Sequence, residues 1–182
     1  MKKINVHYTD RTAYFTLTDY LKDIITSNSV LICIGTDRCI EDCFGPLVGT
    51  MLEEDKFFPL PVYGTLSDPI HALNINEKFE NIKKMHKNSN IIAIDASLDD
   101  ADNIGELQIR DIPITPGIGV GNKTLPEIGD ISIIGIIDSV DNMTQFKTNR
   151  IRLNLPFEMA KLISASIIEG YNLQFMQKEQ TG

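Results

Sequence analysis

Apolar residues along this chain fall into two patterns, short unbroken runs and stripes that recur every three or four positions, and the two alternate from one end to the other. The runs from Val30 to Ile34 and from Asn90 to Asp95, and the isoleucine-rich stretch from Asp130 to Ile137, have strand length and no polar face. That is the pattern of strands buried on both sides in a parallel sheet. Three stripes predict helices: Leu47, Val48, Met51 and Leu52 behind Pro46; Ile75, Phe79, Ile82 and Met85 among lysines; and Phe157, Ala160, Ile163, Ile167 and Tyr171 behind Asn154 and Pro156. A fourth helix is predicted to begin at Thr18 as its cap, with Leu21, Ile24 and Ile25 as its stripe, and to end near Asn28. Alternation at Ile4, Val6 and Tyr8 predicts an edge strand, the prolines between Pro59 and Gly64 a short segment at the sheet margin, and Gly105 to Pro113 a further strand or hairpin arm.

Strands separated by helices over tens of residues imply right-handed crossovers and a sheet covered on both faces. The expected fold is therefore α/β, a three-layer αβα sandwich around a mostly parallel twisted sheet. A chain of 182 residues suits one domain spanning 1–182. In such sheets ligands bind outside the carboxyl ends of the strands. The first buried run leads into a turn carrying Asp37, Arg38, Glu41 and Asp42, and the second closes on Asp95. If the two strands are neighbours, Asp42 and Asp95 share one edge and come within reach of one water, the arrangement a hydrolase needs.

Composition narrows the partners. Seventeen basic against twenty-five acidic residues give a net charge of -8, which disfavours nucleic acid and anionic membranes as partners. No apolar run reaches membrane-spanning length and the first residues lack the apolar core of a signal peptide, so a cytoplasmic location is expected. The three cysteines, Cys33, Cys39 and Cys43, have neither CxxC nor zinc-finger spacing and read as reduced thiols. Cys43, beside Asp42, reads as a small apolar helix residue rather than a nucleophile.

Other motifs change the picture little. In Gly117-Ile-Gly-Val-Gly121 the third glycine comes one position too early for a dinucleotide site, and in Gly121-Asn-Lys-Thr124 the lysine is out of register for a phosphate loop. These glycines predict a tight loop between strands, with Gly117 and Gly119 as candidates for a wall of the site. His71 follows Asp68 and Pro69 at a strand end, where it meets either a substrate or a structural partner; His7 and His86 are expected at the surface. Asp37, Asp42 and Asp95 offer oxygens to a hard cation, yet no ligand spacing asks for one, and neither a tightly bound metal nor a cofactor is expected. Asp99, Asp100 and Asp102 read as a solvated loop, and the stretch 138–150 as a lid or a linker.

Taken together and in order, Gly35-Thr-Asp-Arg, Asp42-Cys-Phe-Gly-Pro-Leu-Val-Gly49, Tyr63-Gly-Thr-Leu, Asp68-Pro-Ile-His-Ala72, Ala93-Ile-Asp-Ala96, Pro116-Gly-Ile-Gly-Val120 and Gly129-Asp-Ile resemble the YyaC-type sporulation proteins. That group is similar to the germination protease of spore-forming bacteria and, more distantly, to the hydrogenase maturation endopeptidases. The resemblance implies a sporulation-associated endopeptidase acting on protein or peptide substrates, small acid-soluble spore proteins among them. The germination protease carries one aspartate in an Asp-Ala-Leu-Gly-Pro turn and one ending a later strand, which fall by motif on Asp42 and Asp95. Asp37 and Arg38 match the sporulation subgroup rather than the protease, and join His71, Gly117 and Gly119 as substrate-binding candidates.

Two departures stand out. Cys39-Ile-Glu-Asp-Cys-Phe occupies the turn where the subgroup looks like Ser-Thr-Gly-Asp-Ala-Leu, and the chain shows no counterpart of the protease propeptide. The alternatives are a hydrogenase-maturation-type endopeptidase, which expects a nickel-sensing histidine that only His71 offers, and a catalytically silent regulatory or scaffold protein of sporulation. Self-association as a homo-oligomer is left open.

Overall fold

A computed structural model describes residues 3–116, 125–140 and 151–181, with side chains to residue 174. In chain order the elements are β1 (Lys3–His7), α1 (Ala13–Leu21), β2 (Ser29–Cys33), α2 (Phe44–Glu54), β3 (Val62–Tyr63), α3 (Ile75–Met85), β4 (Asn90–Asp99), β5 (Glu106–Arg110), β6 (Ile131–Ser139) and α4 (Asn154–Thr181). The strands form one sheet in the order β1-β5-β6-β4-β2-β3. The pairs β6/β4, β4/β2 and β2/β3 are parallel, and β5 alone runs against its neighbours β1 and β6. The fold is the expected α/β sandwich.

Alternation along the strands sorts the core into two layers. Leu31, Cys33, Ile92, Ile94, Ile133 and Ile137 face α1, α2 and α4, which supply Leu17, Leu21, Val48, Leu52, Ile163 and Ile167. Val30, Ile32, Ile34, Ile91, Ala93, Ile134 and Ile136 face the other way, onto Ile75, Phe79 and Ile82 of α3 and onto Ile114, Leu125 and Ile128. Because the inner strands are apolar on both faces, they read in sequence as continuous runs.

Residues 30–34 and 91–94 were expected to form neighbouring parallel strands, and they do, with Leu31 opposite Ile92 and Cys33 opposite Ile94. Several local expectations need correction. Helix α1 starts at Ala13, so Thr18 is not its cap but a buried interior residue whose hydroxyl lacks a partner. The inward stripe of α1 is Ala13, Leu17 and Leu21, whereas Ile25 is buried beyond the helix end. Phe157 and Met85 were placed inward but are exposed, since Met159 takes the core position at the head of α4 and α3 ends at Met85. His86 is half-buried and its Nε2 meets the Tyr63 hydroxyl at 2.8 Å.

Gly135 marks where α2 meets the middle of the sheet. A Cβ there would fall 2.9 Å from ring atoms of Phe44, which is fully buried. The absent side chain makes the space that the ring fills. Gly135→Ala is expected to destabilise the protein by about 1–3 kcal/mol through overpacking. Urea unfolding reads this, and pairing the change with Phe44→Leu should restore part of the loss.

Candidate active site

Strand β2 leads through α2 to β3 on one side of it, and the chain then returns through α3 to β4 on its other side. The strand order therefore reverses between β2 and β4, with α2 packed on one face and α3 on the other, and it is at such a reversal that open α/β sheets bind ligands outside the carboxyl ends. Asp42 and Asp95 sit at this switch point.

Strand β4 outruns β2. Its pairing with β2 stops at Ile94 opposite Cys33, while its pairing with β6 continues to Asp99 across a bulge between Ser97 and Leu98. Asp95 was expected to close a short strand. It lies instead inside a longer one, at the step where β2 has ended, facing the same side as Ile91 and Ala93. Its carboxylate accepts a hydrogen bond from the Ala96 backbone N–H at 2.8 Å, and the residue is 9% exposed.

The turn carrying Asp42 fills the space above that step. The Thr36 N–H donates to the Asp42 carbonyl at 2.9 Å, closing the loop, and residues Ile40–Asp42 form one 3-10 turn packed against β4. Two glycines let the backbone fold this tightly. A Cβ on Gly35, at φ +135°, would lie 2.0 Å from the Asp42 carbonyl oxygen, and one on Gly45 would lie 2.0 Å from that of Ile34. Asp42 thus precedes the amino end of α2, where free backbone N–H groups favour a negative charge.

The two carboxyls affect each other. Burial pushes Asp42 up to about 6, with Glu41's charge adding to the rise and the Thr36 backbone N–H opposing it. Burial, then the charge of Asp42, raise Asp95 well above the usual carboxylate range, and the Ala96 N–H only tempers this. Two acids so placed do not ionise independently. The charge of Asp42 that raises Asp95 favours a state of the pair with Asp42 ionised and Asp95 protonated, one acceptor beside one donor.

The other candidates are placed differently. Asp37 and Arg38 are exposed, and among the described residues no ion pair involves Arg38. His71 follows Ile70, which bridges to Ile34 and accepts from the Gly35 N–H at 2.7 Å, so it lies at the same sheet edge. Its backbone and Nδ1, however, serve the start of α3: its N–H donates to Asn74 Oδ1, its carbonyl accepts from the N–H groups of Asn74 and Ile75, and its Nδ1 accepts from the Leu73 N–H. Gly117 and Gly119 lie outside the described residues, as does the stretch 141–150 of the expected lid. Cys43 caps α2, donates through Sγ to the Ile40 carbonyl at 3.1 Å, and burial pushes its thiol up to about 11. A protonated, donating thiol is a poor nucleophile.

Among the described residues no three His, Cys, Asp or Glu side chains gather as metal ligands. Two hollows, of about 420 and 180 Å³, lie along α1 beside Tyr20 rather than at the carboxylates. Sequence pattern had not singled out Thr36, whose backbone N–H acts on Asp42. The available signal was a glycine directly after a buried strand, which frees the next N–H to turn inward.

Among the described residues no helix is long and apolar enough to cross a membrane. The chain is 45% identical over 138 residues, 76% of its length and 67% of the relative's, to "Uncharacterized protein YyaC" of Bacillus subtilis (strain 168). The matched stretch of the family model, residues 5–166, takes in strands β2 to β6 with most of β1, the Asp42 turn and Asp95, and the chain belongs to the family described as "Protein of unknown function (DUF1256)".

Proposed function

We propose that this protein is an endopeptidase that hydrolyses peptide bonds with Asp42 and Asp95 as a paired-aspartate site. The observation that carries the reading is the juxtaposition, at the switch point, of two carboxyls that burial raises, with the charge of Asp42 raising Asp95 further. In the proposed reaction Asp42, ionised, takes a proton from a water while Asp95, protonated, donates to the scissile carbonyl oxygen. The attack moves two protons and gives a gem-diol; as the C–N bond then breaks, the amine leaving group receives the proton that Asp42 gained and a diol hydroxyl returns a proton to Asp95, which leaves the new carboxyl group and restores both aspartates. The amino end of α2 favours the charge on Asp42, and the apolar surroundings of Asp95 favour its neutral form. The role in sporulation, with small acid-soluble spore proteins as substrates, rests on the motifs shared with YyaC-type proteins.

The pH profile tests the assignment. Asp42 must lose its proton, so kcat/KM should rise through about pH 6, and it should fall at higher pH as Asp95 deprotonates. Both limbs belong to the pair. An Asp42→Asn variant with any residual activity should lack the acid limb. Rates that stay flat from pH 5 to about pH 8 would remove the dyad from the chemistry.

Incubating the purified protein with small acid-soluble spore proteins, wild type beside Asp42→Asn, tests the whole reading by mass spectrometry of the products. Fragments that appear with wild type alone support it. Intact substrate in both cases, with the two carboxyls still titrating together, favours the regulatory role.

A further inference from the structure

Several large apolar side chains left in solvent lie at the carboxyl edge of the sheet. Ile40 stands on the 3-10 turn beside Asp42, Leu73 two residues beyond His71, Val140 just past the end of β6, and Leu153 just before α4. All four are exposed, Leu73 at 92%. Leu153 belongs to this group because α4 runs alongside α2: Tyr171 meets Phe58 beyond the far end of α2, which puts the head of α4 back at the carboxyl edge. Segments leaving three different parts of the fold thus each present an apolar group at one edge. Single exposed apolar residues need no explanation, but four at the edge that carries Asp42 and Asp95 do.

At that edge exposed carboxylates outnumber the exposed bases, Arg38 and Arg152. Asp100 and Asp102 are exposed beyond β4, next to Asp99, whose carboxyl is held below the usual range by the Asp100 backbone N–H. Asp37 adds another exposed carboxylate. The whole chain carries -8. These groups do not make an anion site and do not suit an acidic ligand; they complement a basic one.

We infer that the carboxyl edge receives an extended polypeptide segment with bulky apolar residues on both sides of the scissile bond and lysine or arginine farther along. The inference rests on the endopeptidase reading for what happens at the bond, but the recognition itself needs only the apolar rim and the acidic surround. An extended segment fits because a folded substrate would keep its apolar side chains in its own core, out of reach of Ile40 and Leu73.

Three quenched-fluorescence decapeptides test this: one with Leu and Phe flanking the central bond and Lys near both ends, one with Ser at the two apolar positions, and one with Glu for Lys. Their cleavage is measured with wild type and Leu73→Ser, and their binding with Asp42→Asn by fluorescence anisotropy. The apolar basic peptide should bind and be cleaved best, by about tenfold in kcat/KM over the serine peptide. Leu73→Ser should raise its KM several-fold at little change in kcat, because the residue touches the flanking side chain and not the reacting atoms. Binding with this preference but without cleavage upholds the recognition and defeats the endopeptidase reading. Equal cleavage or equal binding of all three peptides overturns the inference. So does a Leu73→Ser effect confined to self-association, read by light scattering, because the rim would then be a contact between two copies of this chain.

Discussion

Replacing Asp42 or Asp95 with asparagine is expected to lower turnover of a verified peptide substrate by about 10²-fold or more. Asparagine keeps the shape of each side chain, and at position 95 its oxygen can still accept from the Ala96 N–H, so the loss reports the missing proton chemistry. Folding should gain rather than lose. Both carboxyls are raised in the fold, so the folded chain retains protons that the unfolded chain releases near pH 4. As pH climbs past that point the unfolded state binds fewer protons than the folded one, and stability falls. For Asp42 the decline runs from about pH 4 to about 6, and for Asp95 it extends higher. The asparagine variants escape it, so they should match wild type near pH 4 and exceed it at pH 8, by about 1–2 kcal/mol at position 42 once solvent screening is allowed for. Urea midpoints at the two pH values measure this. If both variants cleave at wild-type rates, the paired-aspartate mechanism is wrong. If neither is stabilised at pH 8 relative to pH 4, the carboxyls are not held against their natural ionisation.

How legible the site was in the sequence depended on which residues carried it. The two apolar runs disclosed β2 and β4 because parallel inner strands are apolar on both faces, and their carboxylate endings pointed to Asp42 and Asp95. The reach of β4 beyond Asp95 was not legible, since Ser97 and Asp99 look like loop residues until β6 pairs with them. Helix α1 was misplaced for a related reason. Its start at Ala13 is fixed by the Ala13 N–H donating to the Asp10 carbonyl and by packing against α4, whereas Thr18 offered a plausible local cap that tertiary burial overrode. The switch point itself depends on which face each helix takes, and a stripe of apolar residues carries no record of that. The close approach of Gly35 and Gly45 to neighbouring backbone is equally invisible in one sequence, where a glycine next to a strand reads as an ordinary turn.

Gly45→Ala should therefore have an effect opposite to the usual one. Within a helix, alanine in place of glycine normally stabilises by about 0.5–1 kcal/mol by reducing the freedom of the unfolded chain. At Gly45 the added Cβ would lie 2.0 Å from the Ile34 carbonyl oxygen and 2.8 Å from the Ile34 nitrogen. Both are backbone atoms of the strand end, so no side-chain rotation relieves the clash, and α2 must move away from β2 by roughly an ångström or more to reach ordinary contact distance. That shift opens the packing of Phe44, Val48 and Leu52 and carries the Asp42 turn off the step in β4. A loss of about 3 kcal/mol or more is expected, along with turnover falling at least as far as in Asp42→Asn. Glu54→Ala, an exposed change at the far end of the same helix, should stay within about 0.5 kcal/mol of wild type and keep its activity. The apparent pKa of the remaining carboxyl provides a separate readout. As the charge of Asp42 retreats and water enters, Asp95 should titrate lower, and infrared spectra of its carboxyl stretch follow this directly. If Gly45→Ala matches wild type in both unfolding midpoint and turnover, α2 is not seated on the end of β2, and the position of Asp42 has another cause.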